Sequence, residues 1–440
     1  MAFSPQELSE ALARIARDEV PAPVRYVVAL SGGVDSVALL HALCQRRDAT
    51  PIVALHVDHG LHSDSERWAA FARSVGETLD VDVVIRRATV VEEGQGLEAA
   101  ARAARYQAFE TYLEPGDWLL TAHHQDDQAE TFLLHALRGS GPRGLAAMAR
   151  SRPCGAGIVV RPLLDVGRSD LKTYATAAKL RWLDDPANDD ARFDRNFLRH
   201  NVLPVLKSRW PAAVDRLAQS ALLSRGASDS LDEQAARDLE QVGSTRRLSV
   251  GQLSALSVER QINLIRFALR ALGLPAAPGS ALRRIVAEVL PASVDAQPAV
   301  SWPGGEARRY RDGLYLLAPE SDAKRVVPTL KLGRDTTLNP GQGSLHITPS
   351  PRGLPKAMVE AGLDVRYRVG GERLRPQAGG RSRKLKTLLQ EGAVVPWMRA
   401  RIPLLYHETR LVAVADLWMD QDVQVADGFV VEWLDRPPLF

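Results

Sequence analysis

Three polar clusters carry the chemistry this chain could perform: Ser31-Gly32-Gly33-Val34-Asp35-Ser36, His56-Val57-Asp58-His59, and His123-His124-Gln125-Asp126-Asp127-Gln128-Ala129-Glu130. The first joins a strand-like run, Val24–Leu30, to a helix-spaced one, Val34–Arg46. Glycines there let backbone N–H groups approach an anion, the positive end of the helix dipole faces it, and Ser31 and Ser36 add hydroxyl donors. Asp35 is the odd member, because a carboxylate beside phosphates makes sense when it holds Mg²⁺ or takes a proton. The loop lacks the lysine of GxxxxGK[ST], and Gly-Lys occurs nowhere in the chain, which disfavours γ-phosphate transfer.

The second cluster ends a strand-like run, Pro51–Asp58. Ligands of open α/β sheets bind beyond the C-terminal ends of strands, which places Asp58 and His59 near the loop at 31–36. A structural zinc on His56, Asp58, His59 and His62 is disfavoured, since strand geometry spreads these side chains over both faces. In the third cluster a helix opening near Gln125 sets Asp127 and Glu130 at i,i+3. Acids suit any first helical turn. A dense group of them suggests a cation partner, Mg²⁺ or an amine. Arg102 and Arg105, also at i,i+3, read as a solvated face, or near a reacting phosphate as neutralisers of developing charge. Gly139–Gly144 fits GxGxxG but follows a helix instead of a strand, so a dinucleotide site is not expected there.

These clusters need a scaffold, and the chain provides a pattern for one. Strand-like runs alternate with helical ones from 24 to 190, which predicts right-handed βαβ units and a parallel sheet covered on both faces. Residues from about 198 to 272 read as helical, Gly313–Leu317 as a strand, and the stretch after about 357 as β-rich with one helix near Ser382–Gln390. The 440 residues suggest three domains, at 1–210, 211–350 and 356–440. Net charge is only +3, so a nucleic-acid partner must be argued from local patches. Two exist: residues 131–164 hold five arginines and no acid, and residues 366–386 hold eight Lys or Arg against Glu372. Cys44 and Cys154 form no CxxC, which favours a reducing compartment. Neither a signal-type N-terminus nor an apolar run near the ~20 residues of a membrane span is present, so the expectation is cytoplasmic.

SGGVDS resembles the pyrophosphate loop of the N-type ATP pyrophosphatases. With VDHGL, ARAARY, TAHHQDDQAET, LRGSGPRGL and RPLL, then Asp185…Asn188 and Arg195-Asn196-Phe197-Leu198-Arg199-His200, the order is similar to that of tRNA(Ile)-lysidine synthetases. GGERLRP, RKLKTLLQE and VVPWMRARIPLL resemble that family's C-terminal domain. His62 and Ala187 depart from its usual residues.

The resemblance implies an α/β fold: a doubly wound parallel sheet, a mainly helical middle domain and a small α+β C-terminal domain. It implies ATP-dependent ligation of L-lysine to C2 of the wobble cytidine of isoleucine tRNA with a CAU anticodon, through an adenylated base, switching codon reading from AUG to AUA. ATP would lie on Ser31, Gly32, Gly33, Val34, Asp35 and Ser36, with Mg²⁺ on Asp35. Asp35, Asp127, Arg102 and Arg105 would serve catalysis, and Asp58, Asp127 and Glu130 would hold lysine. Arg138, Arg143, Arg195, Arg199, Arg381, Arg383, Lys384 and Lys386 would contact RNA. An ε-ammonium with a pKa of about 10.4 is neutral only about once in 2,500 at pH 7, so a group must bind it and relieve it of a proton.

A small-molecule adenylating ligase or amidotransferase of the same superfamily is the principal alternative. It leaves the C-terminal basic block unexplained and, if glutamine-dependent, lacks a well-placed nucleophilic cysteine. A tRNA thiolase is disfavoured because sulfur relay uses paired cysteines and this chain has none, and a non-catalytic RNA-binding module leaves the intact loop unexplained. Oligomeric state stays open, a homodimer included.

Overall fold

The computed structural model describes residues 3–46, 50–60, 65–90, 97–184, 190, 192–293, 296–319, 329–330, 336–338, 343–377, 379–436 and 439. His62, Asp185, Ala187 and Asn188 lie outside them. Contacts divide the chain into two units, Met1–Leu231 and Asp232–Phe440.

In the first unit, helix α1 (Pro5–Asp18) precedes strand β1 (Arg25–Ala29), helix α2 (Val34–Cys44), β2 (Ile52–Asp58), α3 (Ser65–Leu79), β3 (Asp82–Arg87), α4 (Leu97–Tyr112), β4 (Asp117–Leu120) and α5 (Gln125–Leu137). There follow α6 (Pro142–Leu145), β5 (Ser151–Cys154), β6 (Gly157–Val160), α7 (Arg168–Ala177), α8 (Asp194–Phe197), a π-helical turn (Leu198–Val202) and α9 (Leu203–Arg209). Helix α10 (Ala213–Val242) runs across the division between the units.

The strand order is β3-β2-β1-β4-β6-β5, parallel except for β5, which pairs antiparallel with β6 at the edge. β1 has β2 on one side (Tyr26↔Ile52) and β4 on the other (Arg25↔Asp117), so the winding reverses there. That reversal opens a crevice at the C-terminal ends of β1 and β4. Alternation along β1 explains the two-sided burial. Val28 packs with Leu8, Leu12 and Ile15 of α1 and Leu39, Leu40 and Leu43 of α2. Val27 packs on the other face with Leu55, Phe109, Leu113, Leu119 and Val159. Each such aliphatic side chain contributes roughly 1.5–3 kcal/mol. At the opposite end of the strands, Asp117 is buried and accepts from Arg25 Nε (3.0 Å), tying β4 to β1.

The second unit holds two hydrophobic clusters. One gathers Leu264, Ile265, Leu269, Leu282 and Ile285 from helices with Val300, Ala307 and Leu314 from a five-stranded antiparallel sheet. Gly313–Leu317 is a strand as its sequence suggests, while its partners Ala299–Trp302 and Gly305–Tyr310 were not anticipated. The other cluster centres on Leu363, Val365, Leu385, Leu389, Leu404 and Val412, and includes the expected helix at Leu385–Glu391. A ten-residue strand, Ser344–Gly353, pairs antiparallel with Val425–Leu434 and begins before the expected β-rich block. Among the described residues no helix is long and apolar enough to cross a membrane.

Candidate active site

The crevice at the switch point is a cavity of about 610 Å³ lined by Ser31, Gly33, Asp35, Ser36, Asp58, His59, Arg102, Arg105, Tyr106 and His123, with others. Its floor is the loop after β1. Gly32 has φ +89°, where a Cβ would cost roughly 1–2 kcal/mol, and its carbonyl accepts from Leu183 N (2.9 Å). Gly33 is the N-cap of α2 and makes no side-chain cap bond, which leaves first-turn N–H groups for an anion. Ser36 Oγ donates to Gly33 O (2.9 Å) and lies 3.1 Å from Ser31 Oγ, so the two hydroxyls hold the loop's curve.

Asp35, in the first turn of α2, has one carboxylate oxygen 3.7 Å from His124 Nε2 and 3.9 Å from Arg168 Nε. The other oxygen, Oδ1, is buried with no hydrogen-bond partner. Such an oxygen costs about 1–3 kcal/mol unless a cation or water reaches it. The donor chemistry fits Mg²⁺, which takes one or two carboxylates plus substrate phosphate oxygens. Among the described residues no three His, Cys, Asp or Glu side chains group to cage a metal by themselves.

Asp58, at the end of β2, accepts from Gly60 N (2.9 Å) and lies in the same cavity as Asp35. Next to it, His59 Nε2 accepts from Arg105 Nε (3.2 Å), and burial with the adjacent Arg105 pushes its pKa down to about 4. His123 lies 2.9 Å from Thr121 Oγ1 through Nδ1, and burial reinforced by Arg161, Arg195 and Arg102 holds it at about 3 despite Asp127. His56 is buried and donates through Nδ1 to Leu30 O (2.8 Å), bracing β2 against the start of the loop instead of joining a metal set.

The lowered values at His59 and His123 have a consequence for acid stability. Both stay neutral when folded but protonate near 6.5 when unfolded, so the unfolded chain binds more protons as pH falls. Their contribution is therefore complete above about 6.5 and is lost toward about 4 and about 3 respectively. Urea unfolding of the whole chain is expected to weaken between pH 7 and pH 4.5, and His59→Asn to flatten part of that slope. An unaltered slope in the variant would remove His59 from the explanation.

Asp127 and Glu130 do not line the cavity, but His124 Nε2 lies 3.4 Å from Asp127 and 3.7 Å from Asp35. His124 caps α5 in a box: its N–H donates to Asp127 Oδ2 (2.9 Å), while its Nδ1 takes Asp127 N–H at 3.4 Å. Glu130 has no exposed surface. Arg195 donates to Glu130 Oε2 (2.8 Å) and Asp127 Oδ1 (2.7 Å), and Arg199 donates to Glu130 Oε1 (2.7 Å) and Oε2 (2.9 Å). Two carboxylates thus meet two guanidiniums. Burial works against the Asp127 charge, but His124, Arg195 and His123 outweigh it and hold the acid well below its usual range. Burial likewise opposes a charged His124, yet Asp127 and Asp35 raise it above an ordinary imidazole.

The structure therefore brings Asp35, Asp58, Arg102, Arg105 and residues of the loop around one cavity, while Asp127 and Glu130 are not among its lining residues. Arg195 and Arg199, expected on RNA, are held by these carboxylates. The sequence reading missed that pairing. It placed His124 in the third cluster but did not read it as the cap of α5, since His-x-x-Asp is not the usual Ser/Thr-x-x-Glu signal. Arg161 of RPLL, counted with the five arginines of the 131–164 basic patch, is instead buried: it donates to Ala149 O (2.6 Å), and with Arg102 and Arg152 surrounds Tyr106. Burial pushes the Tyr106 phenol up, but these three guanidiniums pull it below its ordinary value.

Of the other RNA candidates, Arg138 pairs with Asp194 (3.3 Å) at an exposed site and Arg143 is exposed on α6. In the second unit Arg381, Lys384 and Lys386 are exposed, whereas Arg383 pairs with Glu391. Gly139–Gly144 forms the turn from α5 into α6.

Comparison with known proteins agrees along most of the chain. A PP-loop domain model matches residues 6–206, a TilS substrate binding domain matches 248–315, and a TilS substrate C-terminal domain matches 363–433. The chain is 42% identical over 419 residues to a tRNA(Ile)-lysidine synthase of Xanthomonas campestris pv. campestris, covering 94% of this chain and 93% of that one. It is 40% identical over 423 residues to the protein of that name from Alkalilimnicola ehrlichii, covering 95% of each. Against that of Methylococcus capsulatus it is 39% identical over 425 residues, covering 93% of this chain and 96% of the other.

Proposed function

The chain belongs to the tRNA(Ile)-lysidine synthase family, and from that membership we propose how its residues divide the work of forming lysidine. The enzyme is an ATP-using ligase that modifies isoleucine tRNA. ATP lies with its phosphates on Ser31–Ser36 and the N-terminus of α2, held by loop N–H groups and the two serine hydroxyls. Asp35 would hold Mg²⁺, which supplies charge neutralisation at the phosphates. The wobble cytidine of the CAU anticodon enters the cavity, a step made inexpensive because the base is unpaired in its loop. Its C2 oxygen attacks the α-phosphate and pyrophosphate leaves. The lysine ε-amine then attacks C2, loses a proton, and AMP departs with the C2 oxygen. Arg102 and Arg105 line the cavity where the α-phosphate charge develops.

Asp58 is the carboxylate in the cavity suited to the lysine ammonium; Asp127 and Glu130 would reach lysine only if Arg195 and Arg199 released them. Asp58→Asn is accordingly expected to raise the KM for lysine by about tenfold or more with little change in the KM for ATP. An equal rise in both would place Asp58 on the nucleotide. Residues 1–210 would form the catalytic domain, 211–350 a middle domain contacting tRNA, and 356–440 a basic domain gripping it, in a cytoplasmic protein.

The observation that carries this reading is the single cavity shared by the phosphate loop, Asp35 and Asp58. Exchange of labelled pyrophosphate into ATP tests it: exchange that requires the CAU-anticodon tRNA supports adenylation of the base. Exchange driven by a small substrate without tRNA would support the small-molecule ligase instead.

A further inference from the structure

Another cavity, of about 520 Å³, is lined by residues of the unit Asp232–Phe440. Arg309, Tyr310, Arg311, Asp312, Gln390 and Arg399 line it. Arg309 is 7% exposed and spends its guanidinium on backbone carbonyls: Nε on Arg311 O (3.0 Å), Nη1 on Ala292 O (2.5 Å) and on Leu290 O. Arg311 donates to Gln390 O (3.1 Å). Arg399 donates to Val394 O (2.9 Å) and Tyr310 Oη (2.9 Å). Among the described residues none of the three meets a carboxylate, unlike Arg308 with Glu306, Arg260 with Asp238 or Arg375 with Asp422. The acid among the described lining residues, Asp312, is taken by Gly251 N (2.8 Å) and Ser249 Oγ (2.8 Å). Among the described lining residues three guanidiniums stand against one carboxylate.

The backbone adds an independent sign. Tyr310 pairs with Gly313, so Arg311 and Asp312 form a two-residue hairpin loop, a place that favours Asn-Gly or glycine. Arg311 nevertheless holds φ +53°, in the left-handed region. A long L side chain kept in that conformation points to a use for its head group. The Arg311 guanidinium lies 5.3 Å and that of Arg399 5.7 Å from the Tyr310 ring centroid, and Trp397 meets the same ring edge-on at 6.5 Å. Guanidiniums without acid partners, held rigidly beside an aromatic face, suit a phosphate with its nucleotide. The same unit exposes Arg381, Lys384 and Lys386, with no carboxylate partner among the described residues, which favours a polymeric anion over a free one.

We propose that the cleft formed by Arg309, Arg311 and Arg399 around Tyr310 binds a backbone phosphate of the RNA substrate. This rests on the reading of the protein as a tRNA-modifying enzyme. The test is Arg311→Gly in the full chain, with Arg311→Asn beside it because asparagine also tolerates a left-handed φ. Both are expected to melt at or above the parent temperature. Their Kd for a CAU-anticodon isoleucine tRNA transcript should rise about three- to tenfold near 0.15 M salt, and the slope of log Kd against log salt should shrink by about one.

Unchanged affinity and salt slope in both variants would overturn the proposal and leave the arginines as a clamp on backbone carbonyls. If inorganic pyrophosphate raises the melting temperature of the parent but not of the variants while tRNA affinity is unaltered, the cleft holds a small anion and the RNA assignment fails. The two readings separate cleanly. Weakened tRNA binding in the variants alongside absent lysine transfer in the parent would sink the reaction and keep the cleft, and normal transfer with unaltered affinity would sink the cleft alone.

Discussion

Lysidine formation by an Asp35→Asn variant is expected to fall by about three orders of magnitude, while its affinity for tRNA stays within about twofold of the parent. The side chain keeps its shape and its place in the first turn of α2, so the loop should survive. What disappears is the negative charge of a carboxylate that lines the phosphate loop's cavity and has one buried oxygen without a hydrogen-bond partner. Single-turnover lysine transfer and filter binding measure the two quantities separately. A parallel loss of tRNA affinity would show Asp35 to be a determinant of RNA docking or of folding, and its assignment to the nucleotide would fall.

The second large effect concerns stability. Arg195→Met should destabilise the chain by about 3 kcal/mol, because it strands charge on Glu130, which has no exposed surface, and on Asp127. Arg199 still reaches both carboxylates, which keeps the loss from the top of the 3–5 kcal/mol range typical of broken buried pairs. Adding Glu130→Leu to Arg195→Met should recover part of the loss, since a buried pair removed together leaves no orphan charge. Denaturant unfolding of the single and double variants checks this. A double variant as unstable as the sum of two independent losses would mean that Arg195 and Glu130 do not act as a pair.

The parts of this site that were legible in the sequence are those encoded within a few residues. The turn at 31–36 announces itself because glycines must sit where the strand gives way to a helix, and Gly32 does occupy the left-handed region. Asp58 at a strand's C-terminal end follows from period and topology alone. The partnership of Asp127 and Glu130 with Arg195 and Arg199 spans more than sixty residues, and an arginine in a polar helical stretch looks like solvent-facing charge until its acid is found. The strands missed were those whose pattern is disguised. Ser151–Cys154 is four residues with a proline, Ser344–Gly353 carries Pro349 and Pro351, and Gly305–Tyr310 buries Glu306 and Arg309, where alternation would ask for apolar residues. In each case a long-range partner, not local propensity, decides the conformation.

The most direct measurement is transfer of radiolabelled lysine, with ATP, to a CAU-anticodon isoleucine tRNA transcript, counting AMP released. One AMP per lysine, with the label on the wobble nucleoside, is the expected result, and the Asp35→Asn variant should yield neither. Folded, tRNA-binding protein that leaves the wobble cytidine unlabelled, or that labels it without releasing AMP, would contradict ligation through an adenylated base in the cavity above the loop at 31–36.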